Sequence, residues 1–277
     1  MMLRLALVLP MYNDADNVAA LFERLAAVRE RSGLDLVALA VDDGSRDTTA
    51  DRLQAMRRQH AWLWLLQHPR NRGMAAALRT GIAAALGSHR EPGLADHGRA
   101  FDALAFMDAD LTHAPEDLPR LVEPIAADQA DFVLGSRYVP GGGMRGVPLA
   151  RRLISQLGNR VGRRLLGVTV ADLTSGFRAA RAEVFRAVAL NEPGFGIQLE
   201  ATVKAYRAGF RLAEVPITLG VRHGGTSKMA YTRAFWFGYT WLLIRLALEP
   251  RLATLGGWPL RPQLARSTKP RRSRWST

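Results

Sequence analysis

Two kinds of hydrophobic run alternate along the first part of the chain. Short continuous apolar segments, "LRLALVLP" (3–10), "LVALAV" (36–41), "WLWLL" (62–66) and "ALAFM" (103–107), have the length of buried strands. Between them, apolar residues recur at helical spacing. Residues 15–30 place Ala19, Leu21, Phe22, Leu25 and Val28 on one stripe, with Asp14 or Asp16 near its start, and residues 47–59 and about 74–87, after Gly73, read the same way. Strand, helix, strand, helix in this order predicts a mostly parallel twisted sheet flanked by helices, an α/β fold with right-handed crossovers.

The pattern loosens after residue 110. "DFVLGSRY" (131–138) reads as a strand followed by a glycine-rich loop, "VPGGGMRG", and residues 149–166 as a helix with Arg151 and Arg152 near its start. "DLTSGFRAAR" (172–181) reads as a turn into a short strand, about 196–208 as a helix, and "RLAEVPITL" (211–219) as a further strand. "AFWFGYTWLLI" (234–244) is strongly apolar but stops at Arg245, short of the roughly 20 apolar residues that span a bilayer. Its aromatics and the flanking Arg233, Arg245 and Arg251 suit an amphipathic helix in a membrane interface, and equally a helix packed on the core. The last stretch, 261–277, holds six Lys/Arg and little apolar content and is expected to be disordered. The N-terminal run is too short for a secretory signal. These breaks divide the chain into 1–230, whose halves are 1–115 and 116–230, an interface helix at 231–251, and a basic tail at 252–277.

Polar chemistry gathers where strands stop. The first strand ends in Tyr12 and Asn13, the second in Asp42 and Asp43, and the fourth in Asp108 and Asp110 of "MDADLTHAP". In open parallel sheets, ligands bind beyond these carboxyl ends. Two carboxylates one residue apart repel each other unless a cation neutralises them. Oxygen ligands in that spacing suit Mg²⁺ or Mn²⁺, which takes its remaining ligands from water and a substrate diphosphate.

Composition narrows the choice. There is no cysteine, which excludes disulfides, thiolate nucleophiles and Cys-based zinc sites. No P-loop is present, and no Gly-x-Gly-x-x-Gly follows the first strand. The net charge of +13 is uneven: of 38 Lys+Arg and 25 Asp+Glu, residues 1–110 hold 13 and 14, and the rest 25 and 11. The second half therefore faces something anionic, such as nucleic acid, phospholipid or a phosphorylated substrate. A nucleic-acid binder would not need three acidic strand ends on one edge, so no nucleic acid is expected.

The chain resembles family-2 glycosyltransferases, and within them the dolichol-phosphate (polyprenol-phosphate) mannosyltransferases. The resemblance covers roughly residues 5–230 and rests on "LPMYND", "VDDGSRDTT", "NRGMAAALRTGI", "MDADLTHAPEDLP", "LGSRY", "GGGMRG", "RRLISQLGN", "DLTSGFR", "GFGIQLE", "EVPI" and "RHGGTSK", in the family's order. It implies the nucleotide-diphospho-sugar transferase (GT-A type) fold and inverting transfer of a sugar, mannose from GDP-mannose first and glucose from UDP-glucose next, to a polyprenyl phosphate or alternatively to a sugar hydroxyl. It implies that Pro10, Tyr12 and Asp14 line the nucleotide pocket, that Asp42 and Asp43 lie near base and ribose, and that Asp108 and Asp110 hold the metal diphosphate. Arg137, Arg222, Ser227 and Lys228 then handle donor phosphates, while Arg137, Arg151 and Ser155 receive the acceptor phosphate; Asp110, Arg137 and Arg222 are the residues expected to carry catalysis. Thr112 stands where relatives often have Ser or Gln.

The helix motif "GIQLE" bears on the acceptor. Relatives that glycosylate hydroxyls usually carry an acidic pair or a lone Asp there, whereas this chain has Gln198 and Glu200. Glu200 is read either as catalytic or as orienting an arginine. A phosphomonoester, with a second pKa of about 6, is already ionised at neutral pH and needs no base. The expected setting is peripheral, on the cytoplasmic face of a membrane.

Overall fold

A computed structural model describes residues 2–87, 100–221 and 233–255, with side chains over 238–249 of the last segment. The chain forms β1 (Arg4–Met11), α1 (Ala15–Ser32), β2 (Asp35–Asp42), α2 (Thr49–Gln59), β3 (Leu63–Gln67), α3 (Met74–Ala85) and β4 (Ala103–Phe106). After a 3₁₀ turn at Pro115–Asp117 come α4 (Leu118–Ala126), β5 (Phe132–Ser136), β6 (Gly143–Met144) and α5 (Leu149–Leu166). Then follow β7 (Arg178–Arg181), α6 (Ala182–Ala187), α7 (Gly196–Arg207), β8 (Leu212–Pro216), β9 (Thr218–Leu219) and α8 (Arg233–Leu255).

One seven-stranded sheet runs in the order β3-β2-β1-β4-β7-β5-β8. The strands are parallel except β7, which is antiparallel to both neighbours. The parallel register puts Met11 opposite Asp42 and Val8 opposite Phe106, so the polar ends of β1, β2 and β4 share one edge, as the sequence predicts. Both faces are buried. α1 lays Val18, Leu21, Phe22, Leu25 and Val28 on one face, and α3 and α7 cover the other.

Three differences from the sequence reading matter for the site. The strand within 172–181 begins only at Arg178, and the loop before it folds back over the end of β4. The run 211–219 is two strands: β8 stays in the main sheet, and after Ile217 the chain turns out to pair β9 with β6 of the glycine-rich loop. The C-terminal helix docks on the core through Leu242, Leu243 and Leu246, yet leaves Trp241, Ile244 and Leu248 exposed, so each reading of this segment describes one of its faces. Among the described residues no helix is long and apolar enough to cross a membrane. Arg222, Ser227, Lys228 and the basic tail after Leu255 lie outside the described residues.

Candidate active site

The loops after β1 and β2 are zipped together by side chain to backbone bonds. Tyr12 N–H donates to Asp14 Oδ2 (2.9 Å), Asp14 N–H to Thr49 Oγ1 (2.9 Å), Asn13 N–H to Ser45 Oγ (2.9 Å) and Arg46 N–H to Asn13 Oδ1 (2.8 Å). Asn13 sits at φ 49°, a left-handed conformation that an Asn side chain tolerates better than most. Half-buried Pro10 and Tyr12 and buried Asp14 thus lie in one rigid wall beside Asp42.

The two carboxylates of the "DD" pair do different things. Asp43 accepts from Arg72 N–H (2.9 Å) and Gly73 N–H (2.8 Å), and its Oδ1 lies 2.6 Å from His68 Nδ1. His68 Nε2 in turn lies 2.9 Å from Thr80 Oγ1. Asp43 therefore fixes the loop between β3 and α3, and the adjacent Gly44 is packed so closely that a Cβ there would lie 2.4 Å from the Arg70 carbonyl carbon. Asp42 accepts from Ser45 N–H (3.1 Å). Of the pair, Asp42 is the one placed to meet a ligand, and Asp43 supports the loop around it.

At the end of β4, Asp110 Oδ1 accepts from Thr112 N–H (3.0 Å) and Thr112 Oγ1 (2.6 Å). Leu111 is held at φ 60°, a conformation that costs a β-carbon-bearing residue about 1–2 kcal/mol and is found where a site over-determines its backbone. Asp108 is half-buried, and the 172–178 loop closes over it: a Cβ on Gly176 would lie 3.1 Å from Asp108 Oδ2. Behind it, the guanidinium of Arg178 is fully buried. It donates to the Ser175 and Gln198 carbonyls and Thr202 Oγ1, and burial pushes its pKa down to about 9 against the opposing pull of Asp172 and Asp108. His113 is also buried, stacked on Phe177 at 5.4 Å, and Nδ1 has no partner. Burial lowers its pKa to about 4, with Asp110 opposing and Arg137 assisting, so its ring is neutral at pH 7.

Among the described residues no cluster of three or more His, Cys, Asp or Glu could enclose a metal. The donor set is two carboxylates with a hydroxyl bonded to one of them. That all-oxygen, incomplete set fits a hard divalent cation that completes its shell with diphosphate and water, and does not fit a resident metal caged by protein.

Next to this edge lies a polar network that sequence reasoning found only in part. Arg137 sits just past β5 and grips Asp172 bidentately: Nε to Oδ2 and Nη2 to Oδ1, both 2.7 Å, with its own N–H also on Oδ2 (3.0 Å). The Asp172 side chain is 0% exposed. Glu214 of β8 accepts from the Ala171 and Asp172 N–H groups and fixes that turn. Arg137 also lies 5.1 Å over the Tyr138 ring, whose hydroxyl is 2.6 Å from Ser155 Oγ on α5. Asn159 donates to the Ser155 carbonyl and accepts from Leu173 N–H, closing the ring of contacts. The phenol of Tyr239 on α8 is raised to about 12, by burial first and then by Asp172 and Tyr138, with Arg137 opposing. Arg151 is exposed on α5.

Arg137 and Ser155 are thus brought together, while Arg151 sits toward solvent. Asp172, Tyr138, His113, Arg178 and Tyr239 were not singled out from sequence; the first four stand in or beside quoted motifs, but only the fold pairs them. Glu200 orients no arginine. It is fully buried, accepts from the Asn191 and Glu192 N–H groups (both 2.8 Å) and pairs with Lys204 at 2.7 Å. The route to Arg222 is visible as far as Val221: Gly220 N–H donates to the Thr112 carbonyl (2.7 Å), which ties the chain to the Asp110 turn just before the described residues stop.

The sequence model of Glycosyl transferase family 2 matches residues 6–189. The chain is 35% identical over 231 residues to an undecaprenyl-phosphate mannosyltransferase of Micrococcus luteus, covering 82% of this chain and 88% of that protein. It is 36% identical over 233 residues to a polyprenol monophosphomannose synthase of Mycolicibacterium smegmatis, covering 82% and 81%. Among solved structures, glucosyl-3-phosphoglycerate synthase from Mycobacterium tuberculosis, in complex with Mn²⁺, UDP and phosphoglyceric acid, superposes with a TM-score of 0.59 over 89% of this chain and 78% of that one, at 21% identity, a likeness of fold.

Proposed function

The chain belongs to glycosyl transferase family 2, and from that premise we propose that it transfers mannose from GDP-mannose to a polyprenyl phosphate, inverting the anomeric carbon. The observation that carries the acceptor assignment is the state of Glu200. The one carboxylate on the "GIQLE" helix is locked into two backbone N–H groups and a lysine, which leaves it unsuited to deprotonate a hydroxyl. The acceptor side instead offers Arg137 and the Tyr138–Ser155 hydroxyl pair, which suit an anion that is already a nucleophile.

In this reading Asp42 and the Pro10–Asp14 wall hold the nucleoside. Asp108 and Asp110 would hold Mg²⁺ or Mn²⁺, which neutralises charge on the departing diphosphate. Asp172 holds the Arg137 guanidinium with its fork fixed, so that a phosphate approaching past Ser155 meets a cation that does not have to reorganise. An acceptor phosphate oxygen forms the new bond to the sugar's anomeric carbon as the bond to the nucleoside diphosphate breaks, and GDP leaves. Neutral His113 adds no positive charge beside Asp110. The acceptor's lipid nature places the protein peripherally, at the cytoplasmic face of a membrane.

The test is a donor screen with radiolabelled GDP-mannose and UDP-glucose, Mg²⁺ or Mn²⁺, and a short-chain polyprenyl phosphate. Label from GDP-mannose should enter an acid-labile, organic-extractable product, and Asp110→Ala should reduce that transfer by ~10³-fold or more with an unchanged melting temperature. Absence of lipid-linked label, or label on a sugar hydroxyl, overturns the reading.

A further inference from the structure

Helix α5 is inside out. Its sequence, LARRLISQLGNRVGRRLL, buries Asn159, Gly162 and Leu166. Its outer face carries Leu149, Leu153, Ile154, Leu157, Val161 and Leu165, exposed by 45% to 70%. α8 packs beside it, meeting it at Gly162, where a Cβ would lie 3.3 Å from the Leu243 side chain. α8 adds Trp241, Ile244 and Leu248, each at least 43% exposed. These nine residues are all but two of the exposed large hydrophobics among the described residues; Met2 and Val221 are the others. An apolar face of this extent on a water-soluble surface marks an interaction site.

We propose that the joint α5–α8 face docks on an anionic phospholipid bilayer, with α5 as the principal contact. Charge selects this occupant. α5 contains five arginines and no acidic residue, and Arg160 and Arg164 are exposed among its leucines. Long cationic side chains interleaved with leucines lie well at a headgroup boundary, where the stems stay in apolar surroundings and the charges reach lipid phosphates. A second copy of the chain would bring two such arginine-rich helices together, and like charges at close range oppose that contact. Residues 256–277 add six Lys/Arg and no acidic residue to the same end of the chain.

The surface deepens the acceptor assignment, and rests on the lipid-phosphate reading for that step only. Ser155, on the inner side of α5, bonds to Tyr138 beside Arg137, while Leu153 and Leu157, two positions away on either side, face outward. One turn of α5 therefore separates the bilayer surface from the polar pocket. A polyprenyl chain can remain in lipid while its phosphate reaches Arg137, without being drawn out of the membrane. This also moves the membrane contact from the C-terminal helix alone, where the sequence pattern puts it, to a helix that is part of the active site.

The experiment uses the full chain and a Leu153→Gln/Leu157→Gln/Leu165→Gln variant. These side chains are exposed, so the fold is expected to be retained. The wild type should float with phosphatidylcholine–phosphatidylglycerol vesicles, less at high salt, and not with phosphatidylcholine alone. The variant should bind the anionic vesicles at least ~10-fold more weakly. It should keep wild-type turnover with a short, water-dispersed polyprenyl phosphate and lose ~10-fold with a long acceptor embedded in vesicles. Equal flotation of the two proteins, or no flotation of the wild type, overturns the proposal. So does a wild-type dimer that the substitutions dissociate without any flotation, because the face then belongs to a second copy. Loss of turnover on the short acceptor also overturns it, because the leucines would then act inside the site. A wild type that floats but transfers to neither acceptor removes the lipid-phosphate reading and leaves the surface standing.

Discussion

Helices α1 and α5 are both 18 residues long, and they are built in opposite senses. α1 turns Val18, Leu21, Phe22, Leu25 and Val28 into the core and its charges outward. α5 turns its leucines outward and meets the protein with Ser155, Asn159 and Gly162. The difference extends to the halves they belong to. The donor side is a parallel sheet sealed by apolar side chains, with the chemistry confined to strand ends. The acceptor side is held by buried charge, Arg137 on Asp172 and Arg178 on carbonyls, and it leaves apolar surface unspent. A rigid donor pocket needs only a core. An acceptor site for an amphiphile needs a polar interior and an apolar exterior, and α5 supplies both from one helix.

The sharpest way to break this comparison is to truncate the same kind of side chain on each helix. Phe22→Ala on α1 should cost about 3–5 kcal/mol, because the ring is fully buried. Leu157→Ala on α5 should change stability by less than about 0.5 kcal/mol, because the side chain is 60% exposed. Urea titrations of both decide it. A large loss at Leu157 would mean that the face is covered by the protein itself.

A somewhat smaller effect probes the buried charge. Asp172→Asn keeps the shape of the side chain but removes the anion that Arg137 grips with two donors. The loss should be about 2–3 kcal/mol in stability, since an arginine with a mostly buried side chain is left underpaired. Turnover measured well below the melting temperature should fall as well, with a rise in KM for the acceptor and little change in KM for the donor. Equal changes in both KM values would show that Asp172 does not act through Arg137.

How much of this the sequence discloses follows from which physical rules are local. Parallel strands ending in Tyr12, Asp42 and Asp108 are readable because apolar run length and polar termini are local signals. The β7 direction is not, because "FRAAR" looks the same paired either way; what reverses it is the preceding loop, which folds over Asp108 at Gly176. The break between β8 and β9 depends on a partner, β6, some 70 residues earlier in the chain. For α5, periodicity reveals a stripe but not which side of it faces protein, and a leucine stripe is ordinarily read as core. Asp43 and Glu200 show the same limit in the site. Both are acids in motifs, and each is occupied by backbone N–H groups that only the folded chain brings near.

The smallest expected effect contrasts two buried histidines. On the donor side, His68 is partnered at both ring nitrogens, by Asp43 and Thr80. On the acceptor side, His113 Nδ1 has no partner, and burial lowers its pKa from 6.5 to about 4. Between those two values the unfolded chain takes up a proton that the folded chain refuses. Stability from this group is therefore complete above about pH 6.5 and falls as the pH drops toward 4. From pH 7 to about pH 5.5 the loss should be on the order of 1 kcal/mol, added to whatever the carboxylates contribute. His113→Gln cannot titrate, so its unfolding free energy should fall less over that interval than the wild type's. Denaturant unfolding at the two pH values measures the difference in slope. Parallel slopes would mean that His113 reaches solvent when protonated, and that the acceptor side tolerates a new charge more easily than its packing implies.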